Sequence, residues 1–236
     1  MVWLKIHPIK AFSDNYIWVL EKNNEAIVVD PGESPQVIAY LEENDLILRA
    51  ILLTHNHDDH TGGVLDISEK YPEITIYGPI ETEDFNTRTV AEGDTVEVLN
   101  ESFEVFLTAG HTEGHISYLS GNYLFCGDAL FSGGCGRVFT GDYQAQYEAL
   151  QKFRKLDDTV NVYAAHEYTI TNLSFALTIE PGNAAIQKAL DDAKKNVMLD
   201  KSTLPSSIAL EKDINILLRS NTLEEFVFLR QKRDQF

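Results

Sequence analysis

Short apolar runs separated by turn residues dominate the first two thirds of the chain. YIWVLE (16–21) and EAIVVD (25–30) flank Lys22, Asn23 and Asn24, a pattern that predicts a hairpin, and Pro31-Gly32 ends the second strand. RAILLT (49–54) is apolar at most positions, which is typical of a strand covered on both faces. Further strands are predicted at 74–78, 95–99, 102–108, 116–120, 122–126 and 161–165.

Two helices are predicted among these strands, and helical spacing then dominates the last third of the chain. The first helix is predicted over 34–45, with Val37, Ile38 and Leu41 on one face and Ser34 as its cap, and the second over 143–155. From about Asn172 the strands stop. The segments 172–179, 184–198, 213–219 and 222–232 are predicted helices, broken by Pro181-Gly182 and Pro205. The pattern therefore indicates an α/β domain over residues 1–170 and a small helical domain over 171–236.

Composition narrows the functional class. The 236 residues carry a net charge of −18, which argues against nucleic-acid binding, because phosphates are neutralised by an excess of Lys and Arg. No segment approaches the roughly 18 apolar residues that cross a bilayer, and the N-terminus lacks the apolar run of a signal peptide. We therefore expect a soluble, cytoplasmic protein without a membrane partner. Cys126 and Cys135 are expected to be reduced, partly buried thiols.

A cluster of imidazoles and carboxylates follows the strand at 49–54. The motif THNHDDH contains His55, His57, Asp59 and His60, where the chain turns into a predicted helix. Imidazole and carboxylate at this spacing suit Zn, Fe or Mn. The alternative, an exposed polar loop that happens to be rich in His, is disfavoured because the chain has only 7 His.

Three more candidate ligands occur at later strand ends. His111 follows an apolar strand in TAGHTEGH, Asp128 follows the strand in LFCGDALF, and His166 follows the strand in VYAAHEY. Strand ends are the usual place for ligands on a rigid sheet. The seven candidates can fill two metal sites that share one carboxylate. His115 is expected to support a ligand, although it could replace His111, and His7 is expected to be structural.

The order of these motifs resembles the metallo-β-lactamase superfamily, and the chain as a whole closely resembles the glyoxalase II (hydroxyacylglutathione hydrolase) family. The resemblance extends to AFSDNYIW (11–18), VVDPG (28–32), GCGRVFTG (134–141), AAHEYTITNLSFAL (164–177) and FLRQKRDQF (228–236). It implies an αββα sandwich followed by a small helical substrate-binding domain.

The resemblance also assigns residues to roles. One metal site would consist of His55, His57 and His111, the other of Asp59, His60 and His166, with Asp128 as the bridge. Two divalent ions, Zn first and Fe or Mn as alternatives, would be the cofactors. The glutathione contacts would be Arg137, Phe139, Tyr168, Arg230 and Arg233.

Three of these positions depart from relatives. Arg137 and Arg233 stand where some relatives carry Lys, and Phe139 stands where some carry Tyr, so the detailed glutathione contacts are expected to differ. For Arg230, Lys232 and Arg233, the simple alternative is a solvated last helical turn. Asp30 could support a ligand, but capping of the turn at Pro31-Gly32 is the preferred interpretation.

The expected reaction is hydrolysis of S-D-lactoylglutathione to D-lactate and glutathione by a monomeric enzyme. Hydroxide held between the metals would attack the thioester carbonyl, and Asp59 would orient it. The rival activities are those of a persulfide dioxygenase, and of a β-lactamase or lactonase on the same fold. A non-catalytic protein that binds glutathione or a partner is the other class considered.

Overall fold

A computed structural model describes residues 4–236 and divides them into two compact units. The first unit runs to Leu107 and includes Gly114–Gly121, and the second consists of Thr108–Glu113 and Asn122–Phe236. The two units are defined by contacts between residues, whereas the boundary predicted near residue 170 rests on a change in the sequence pattern. The boundary inferred from that pattern stays a prediction.

A six-stranded sheet forms the larger layer of the first unit. Its strand order is β1-β2-β3-β4-β5-β6, antiparallel from β1 to β3 and parallel from β3 to β6. The predicted hairpin between β2 and β3 is confirmed, and Asn23 and Asn24 both adopt positive φ, as a tight two-residue turn requires. The strands are β1 (Lys5–Ala11), β2 (Asn15–Lys22), β3 (Glu25–Val29), β4 (Ile47–Leu52), β5 (Thr75–Gly78) and β6 (Arg88–Thr89).

Helices cover one face of this sheet. Val37 and Leu41 of α1 (Ser34–Glu43) and Ile67 of α3 (Val64–Lys70) are buried in one cluster with strand residues such as Ile51. The prediction that Ser34 caps α1 is wrong, because Glu33 is the N-cap residue and the Ser34 hydroxyl donates to Asp66 Oδ2 at 2.7 Å.

A second group of strands in the first unit is an antiparallel meander of β7 (Thr95–Val98), β8 (Glu101–Leu107) and β9 (Ile116–Ser120). Tyr118 of β9 is fully buried, and its hydroxyl donates to Leu53 O at 2.9 Å. Burial raises the pKa of Tyr118 well above its usual value, so the hydroxyl stays protonated as a donor. This bond fixes β9 against the end of β4, where the histidine motif begins.

The second unit combines three strands with most of the helices. β10 is parallel to β11, and β11 is antiparallel to the two-residue β12, so the expectation that strands stop near Asn172 is wrong. The predicted helix at 184–198 is confirmed. The elements are β10 (Tyr123–Gly127), α4 (Tyr143–Arg154), β11 (Asn161–Ala164), α5 (Thr169–Ile179), α6 (Ala184–Met198), β12 (Ser206–Ser207), α7 (Ile208–Ile214) and α8 (Leu223–Asp234).

The predicted helix at 213–219 is wrong. The helix in this region is α7, which ends at Ile214, and the apolar residues that follow it lie buried in a turn. Asn215 stops the helix because its Oδ1 accepts hydrogen bonds from the backbone N–H groups of Leu217 and Leu218, both at 3.1 Å. Apolar spacing alone does not distinguish such a buried turn from a helix.

Among the helices of residues 4–236, we find none with the length and apolar character that a bilayer crossing requires.

Candidate metal centre

Four of the predicted ligands lie in one short segment after β4. The short helix α2 (Asp58–Thr61) begins directly after His57, whose carbonyl accepts hydrogen bonds from the N–H groups of His60 and Thr61. His55 Nε2 lies 3.1 Å from His57 Nδ1, and His60 Nε2 lies 3.7 Å from Asp59 Oδ2. The segment therefore presents two pairs of candidate ligand atoms. His55 and His57 supply one pair from the extended part, and Asp59 and His60 supply the other from α2.

Asp30 organises the two buried histidines of this segment. Its Oδ1 accepts from the Thr54 N–H at 2.8 Å, and its Oδ2 accepts from the Thr54 hydroxyl at 2.7 Å and from His60 Nδ1 at 3.0 Å. Since the Thr54 hydroxyl donates to Asp30, it accepts from His55 Nδ1, which lies 3.0 Å away. Both rings therefore carry their proton on Nδ1 and keep a lone pair on Nε2.

This geometry corrects the preferred interpretation of Asp30. The side chain does not cap the turn at Pro31-Gly32, because both of its oxygens are used by Thr54 and His60. Ligand atoms of Asp30, His55 and His60 lie within 4.8 Å of one another. The hydrogen bonds account for Asp30 as a support, which makes the two Nε2 atoms the candidate metal donors.

Other side chains of the first unit hold the segment in place. The His115 ring is buried and stacks on His55, with ring centroids 4.8 Å apart, which is a supporting position. Asn15 Nδ2 donates to Asp59 Oδ2 at 2.9 Å and so fixes the orientation of that carboxylate. Glu81 accepts from the backbone N–H groups of Asn56 and Gly114, at 3.3 and 2.6 Å.

The second unit brings together the other three predicted ligands. One carboxylate oxygen of Asp128 lies 3.3 Å from His111 Nε2, and the other lies 3.3 Å from His166 Nε2. His111 Nδ1 donates to Arg137 O at 2.8 Å, so its Nε2 also keeps a lone pair. A carboxylate whose two oxygens face different imidazoles is suited to bridging two cations. Neutral imidazoles and carboxylates are a donor set that fits divalent ions.

Residues predicted to contact substrate lie close to these ligands. Phe139 is 63% exposed, and its ring meets His111 edge to face at 5.3 Å. The Arg137 guanidinium lies 5.9 Å from the centre of the Phe139 ring. Tyr168 stacks on His166 with ring centroids 4.8 Å apart. The second unit thus combines an exposed apolar surface and a cation beside two of the predicted ligands.

The two C-terminal arginines are placed differently. Arg230 is 4% exposed, with hydrogen bonds to Cys135 O at 2.6 Å and to Asp234 Oδ1 at 2.8 Å. Arg233 is partly exposed, and its Nε donates to Asn172 Oδ1 at 3.0 Å. Lys232 is exposed. The alternative of a solvated last helical turn is therefore wrong for Arg230.

Both cysteines lie in the second unit as buried free thiols, as predicted. Burial raises the pKa of the Cys126 thiol well above its usual value and also raises that of Cys135. Neither thiol is therefore set up as a nucleophile.

Sequence reasoning missed Glu211 and Asn215, which form hydrogen bonds with the loop after Asp128. Asn215 Nδ2 donates to the carbonyls of Phe131 and Gly134, at 3.2 and 3.0 Å, and Glu211 Oε2 accepts from the Gly133 N–H at 2.8 Å. No local sequence signal identifies them, because their partners lie about 80 residues earlier.

Comparisons with known proteins match two family models to the chain. The model of the metallo-β-lactamase superfamily matches residues 12–166, and that of the hydroxyacylglutathione hydrolase C-terminus matches residues 167–236. A hydroxyacylglutathione hydrolase of Glaesserella parasuis serovar 5 is 51% identical over 99% of this chain and 100% of its own length.

Two solved structures are also similar. ETHE1 from Myxococcus xanthus is 27% identical with a TM-score of 0.74, covering 96% of this chain and 90% of its own. The protein TTHA1623, crystallised in a di-iron-bound form, is 25% identical with a TM-score of 0.59, covering 68% of this chain and 91% of its own. These likenesses confirm the predicted metallo-β-lactamase-like fold with its C-terminal helical part, and with the His/Asp clusters they assign divalent-metal binding to the chain. The chain belongs to the hydroxyacylglutathione hydrolase family of the metallo-β-lactamase superfamily.

Proposed function

We propose that the chain hydrolyses glutathione thioesters and converts S-D-lactoylglutathione to D-lactate and glutathione. The observation that carries the proposal is the Asp128 carboxylate, whose two oxygens face His111 and His166. A carboxylate in this position suits a pair of cations rather than one. The full-length similarity to proteins named hydroxyacylglutathione hydrolase supports the choice of a glutathione thioester.

The proposed metal ligands are those implied by the sequence. His55, His57 and His111 would hold one ion, and Asp59, His60 and His166 the other, with Asp128 shared. Zn is the proposed metal, with Fe or Mn as alternatives, since imidazole and carboxylate accept all three. The di-iron-bound form of a similar protein supports a site for two ions. When bound, such ions lower the pKa of water from 15.7 to about 7 and polarise a carbonyl oxygen.

The protein residues supply orientation for this chemistry. Asp59, held by the Asn15 amide, is placed to orient the attacking water by accepting its hydrogen bond. The attacking water would first lose a proton to solvent, its oxygen would then bond to the thioester carbonyl carbon, and the C–S bond would break. The sulfur leaves as a thiolate, which is stable enough to depart without a protein acid and takes its proton from solvent. No protein general base is required, because the bound ions would lower the pKa of the attacking water.

Cationic and apolar side chains near the ligands are the proposed glutathione contacts. Glutathione carries two carboxylates, and a protein of net charge −18 repels such an anion at long range. Arg230 and Arg233 are proposed to pair with these carboxylates. Arg137, Phe139 and Tyr168 are the other proposed glutathione contacts. Cytoplasmic location and a monomeric state remain predictions from the sequence.

Thiol release from S-D-lactoylglutathione tests the proposal directly. The purified protein is assayed before and after treatment with a chelator, and its metal content is measured in the same samples. We expect turnover that disappears with the metal and returns when Zn, Fe or Mn is restored. A metal-loaded protein that releases no thiol would rule the proposed reaction out.

The persulfide dioxygenase alternative is not favoured, because residues 167–236 match the model of the hydroxyacylglutathione hydrolase C-terminus. Oxygen consumption with glutathione persulfide separates the two activities, and we expect none above the uncatalysed rate.

A further inference from the structure

Phe12 has a backbone conformation that aromatic residues rarely adopt. Its φ of 48° lies in the left-handed region, and its side chain is 55% exposed. Within residues 4–236, six of the eight non-glycine residues with positive φ are Asn or Asp, which tolerate this region. Leu99 is the other exception, and it lies in the two-residue turn between β7 and β8, where positive φ is normal.

The turn that contains Phe12 does not explain this conformation. The connection between β1 and β2 has three residues, and in such hairpins positive φ is usual at the last residue, whereas Phe12 is the first. The Phe12 N–H donates to Glu33 Oε2 at 2.8 Å, and the same oxygen accepts from Gln36 Nε2 at 2.9 Å. The start of α1 therefore holds the backbone of Phe12 in place, as strained residues require.

The ring of Phe12 lies beside Asp59, the residue proposed to orient the attacking water. A Cβ added to Gly32 would lie 1.9 Å from Asp59 O and 2.9 Å from Phe12 Cε2, so a residue without a side chain is needed between them. At the other end of the connection, Asn15 Nδ2 donates to Asp59 Oδ2 at 2.9 Å and to Asp59 O at 3.4 Å. One connection thus orients the Asp59 carboxylate and places an exposed ring next to it.

This location corresponds to the acyl side of the proposed substrate. The water that Asp59 orients attacks the thioester carbonyl carbon, so a side chain beside Asp59 is placed to meet the substituent on that carbon. The proposed glutathione contacts all belong to the second unit, and none of them is assigned to the acyl group. An aromatic side chain on a fixed backbone offers a large apolar surface at a low cost in conformational entropy.

We propose that Phe12 determines specificity for the acyl group, with its ring as the apolar contact for the methyl group of a lactoyl thioester. The inference rests on the proposed function and deepens it by assigning a residue to the acyl side. The alternative is that the ring only covers Gly32. A covering role would affect all thioesters alike, whereas a contact with the methyl group changes the discrimination between thioesters that differ in that group.

The test compares S-D-lactoylglutathione with S-glycolylglutathione, which lacks only the methyl group. Values of kcat/KM for both thioesters are measured for the wild type, Phe12→Ala, Phe12→Gly and Phe12→Tyr, with metal content determined on the same preparations. Phe12→Gly removes the ring but tolerates a left-handed φ, so it keeps the test decisive if Phe12→Ala fails to fold. The control is Ile47→Ala, since Ile47 is 52% exposed and lies at the opposite end of β4 from the histidine motif.

In Phe12→Ala and Phe12→Gly we expect the lactoyl-to-glycolyl ratio of kcat/KM to fall by about three- to tenfold, the order expected for one methyl group. Metal content should not change, because the ring is not a ligand. Phe12→Tyr should keep the wild-type ratio, and Ile47→Ala should leave both rates and their ratio unchanged. If the ratio is unchanged when the ring is removed, even where both rates fall together, the proposal is overturned.

Failure of this inference can be told apart from failure of the proposed function. A metal-loaded wild type that releases thiol from neither thioester refutes the proposed function, and this inference with it, before any variant is compared. An active wild type whose ratio does not depend on the Phe12 ring refutes the specificity role alone.

Discussion

The two units build their groups of predicted ligands in opposite ways. In the first unit, His55, His57, Asp59 and His60 come from one segment of six residues between a strand end and a helix start. In the second, His111, Asp128 and His166 are spread over more than fifty residues, and Asp128 lies close to both histidines. The loop after Asp128 accepts hydrogen bonds from Asn215, which follows α7, and from Arg230 of α8. A contiguous motif needs mainly a local backbone shape, whereas a dispersed group needs distant parts of the fold to be in place.

Removing one ligand from each group should have the largest effect. His57→Ala and Asp128→Ala are both expected to lower turnover by more than about a thousandfold, together with a loss of bound metal, since in the proposed mechanism the ions would supply the nucleophile. Metal content and thiol release are measured on the same preparations. If either variant keeps its full complement of metal, the ligand assignment in that unit is wrong.

Loss of a supporting group in the first unit should have an intermediate effect. Asp30→Ala removes the acceptor for His60 Nδ1 and, through Thr54, for His55 Nδ1. Metal affinity is expected to fall about 10- to 100-fold. Thr54→Val leaves the Asp30–His60 hydrogen bond intact and should lower metal affinity by a smaller factor. Equal losses in the two variants would indicate that the direct Asp30–His60 bond contributes nothing.

Matched glycine substitutions compare how tightly each ligand segment is packed. A Cβ on Gly32 would lie 1.9 Å from Asp59 O, and one on Gly136 would lie 2.3 Å from Asp128 O. Gly32→Ala and Gly136→Ala should each lower the free energy of unfolding by about 1–3 kcal/mol.

Gly182→Ala is the control for this pair, because nothing lies within 4 Å of its added Cβ. Urea denaturation should give a change within about 1 kcal/mol for the control, with a stabilising sign. A control as unstable as the other two variants would mean that close packing is not the cause.

The smallest effect concerns the pH dependence of stability in the second unit. Burial raises the pKa of Glu211 above its usual value, so the folded state favours the protonated carboxyl. Its contribution to stability is present below the ordinary glutamate pKa and is lost as the pH rises through the raised value. Relative to Glu211→Gln, the wild type should therefore lose unfolding free energy with rising pH, by about 1.4 kcal/mol for each unit of pKa shift. If the unfolding free energies of the wild type and Glu211→Gln changed equally with pH, this prediction would be contradicted.

The sequence by itself determined the ligand motifs and, to within two residues at each end, the strands β2–β5 and β7–β11 and the four helices at 34–43, 143–154, 184–198 and 223–234. These features depend on residues close together in the chain, where apolar spacing and strand ends carry the signal. The contiguous group in the first unit was accordingly recognisable before its geometry was known.

Tertiary structure alone decided which side chains form the buried hydrogen bonds around the predicted ligands. Asp30 reaches Thr54 across 24 residues, and Arg230 reaches Cys135 across 95. Asn215 turns an apolar stretch that resembles a helix into a buried turn. Each outcome is fixed by satisfying polar groups inside a packed interior. Because the fold brings these partners together from distant parts of the chain, no local pattern of residues predicts them.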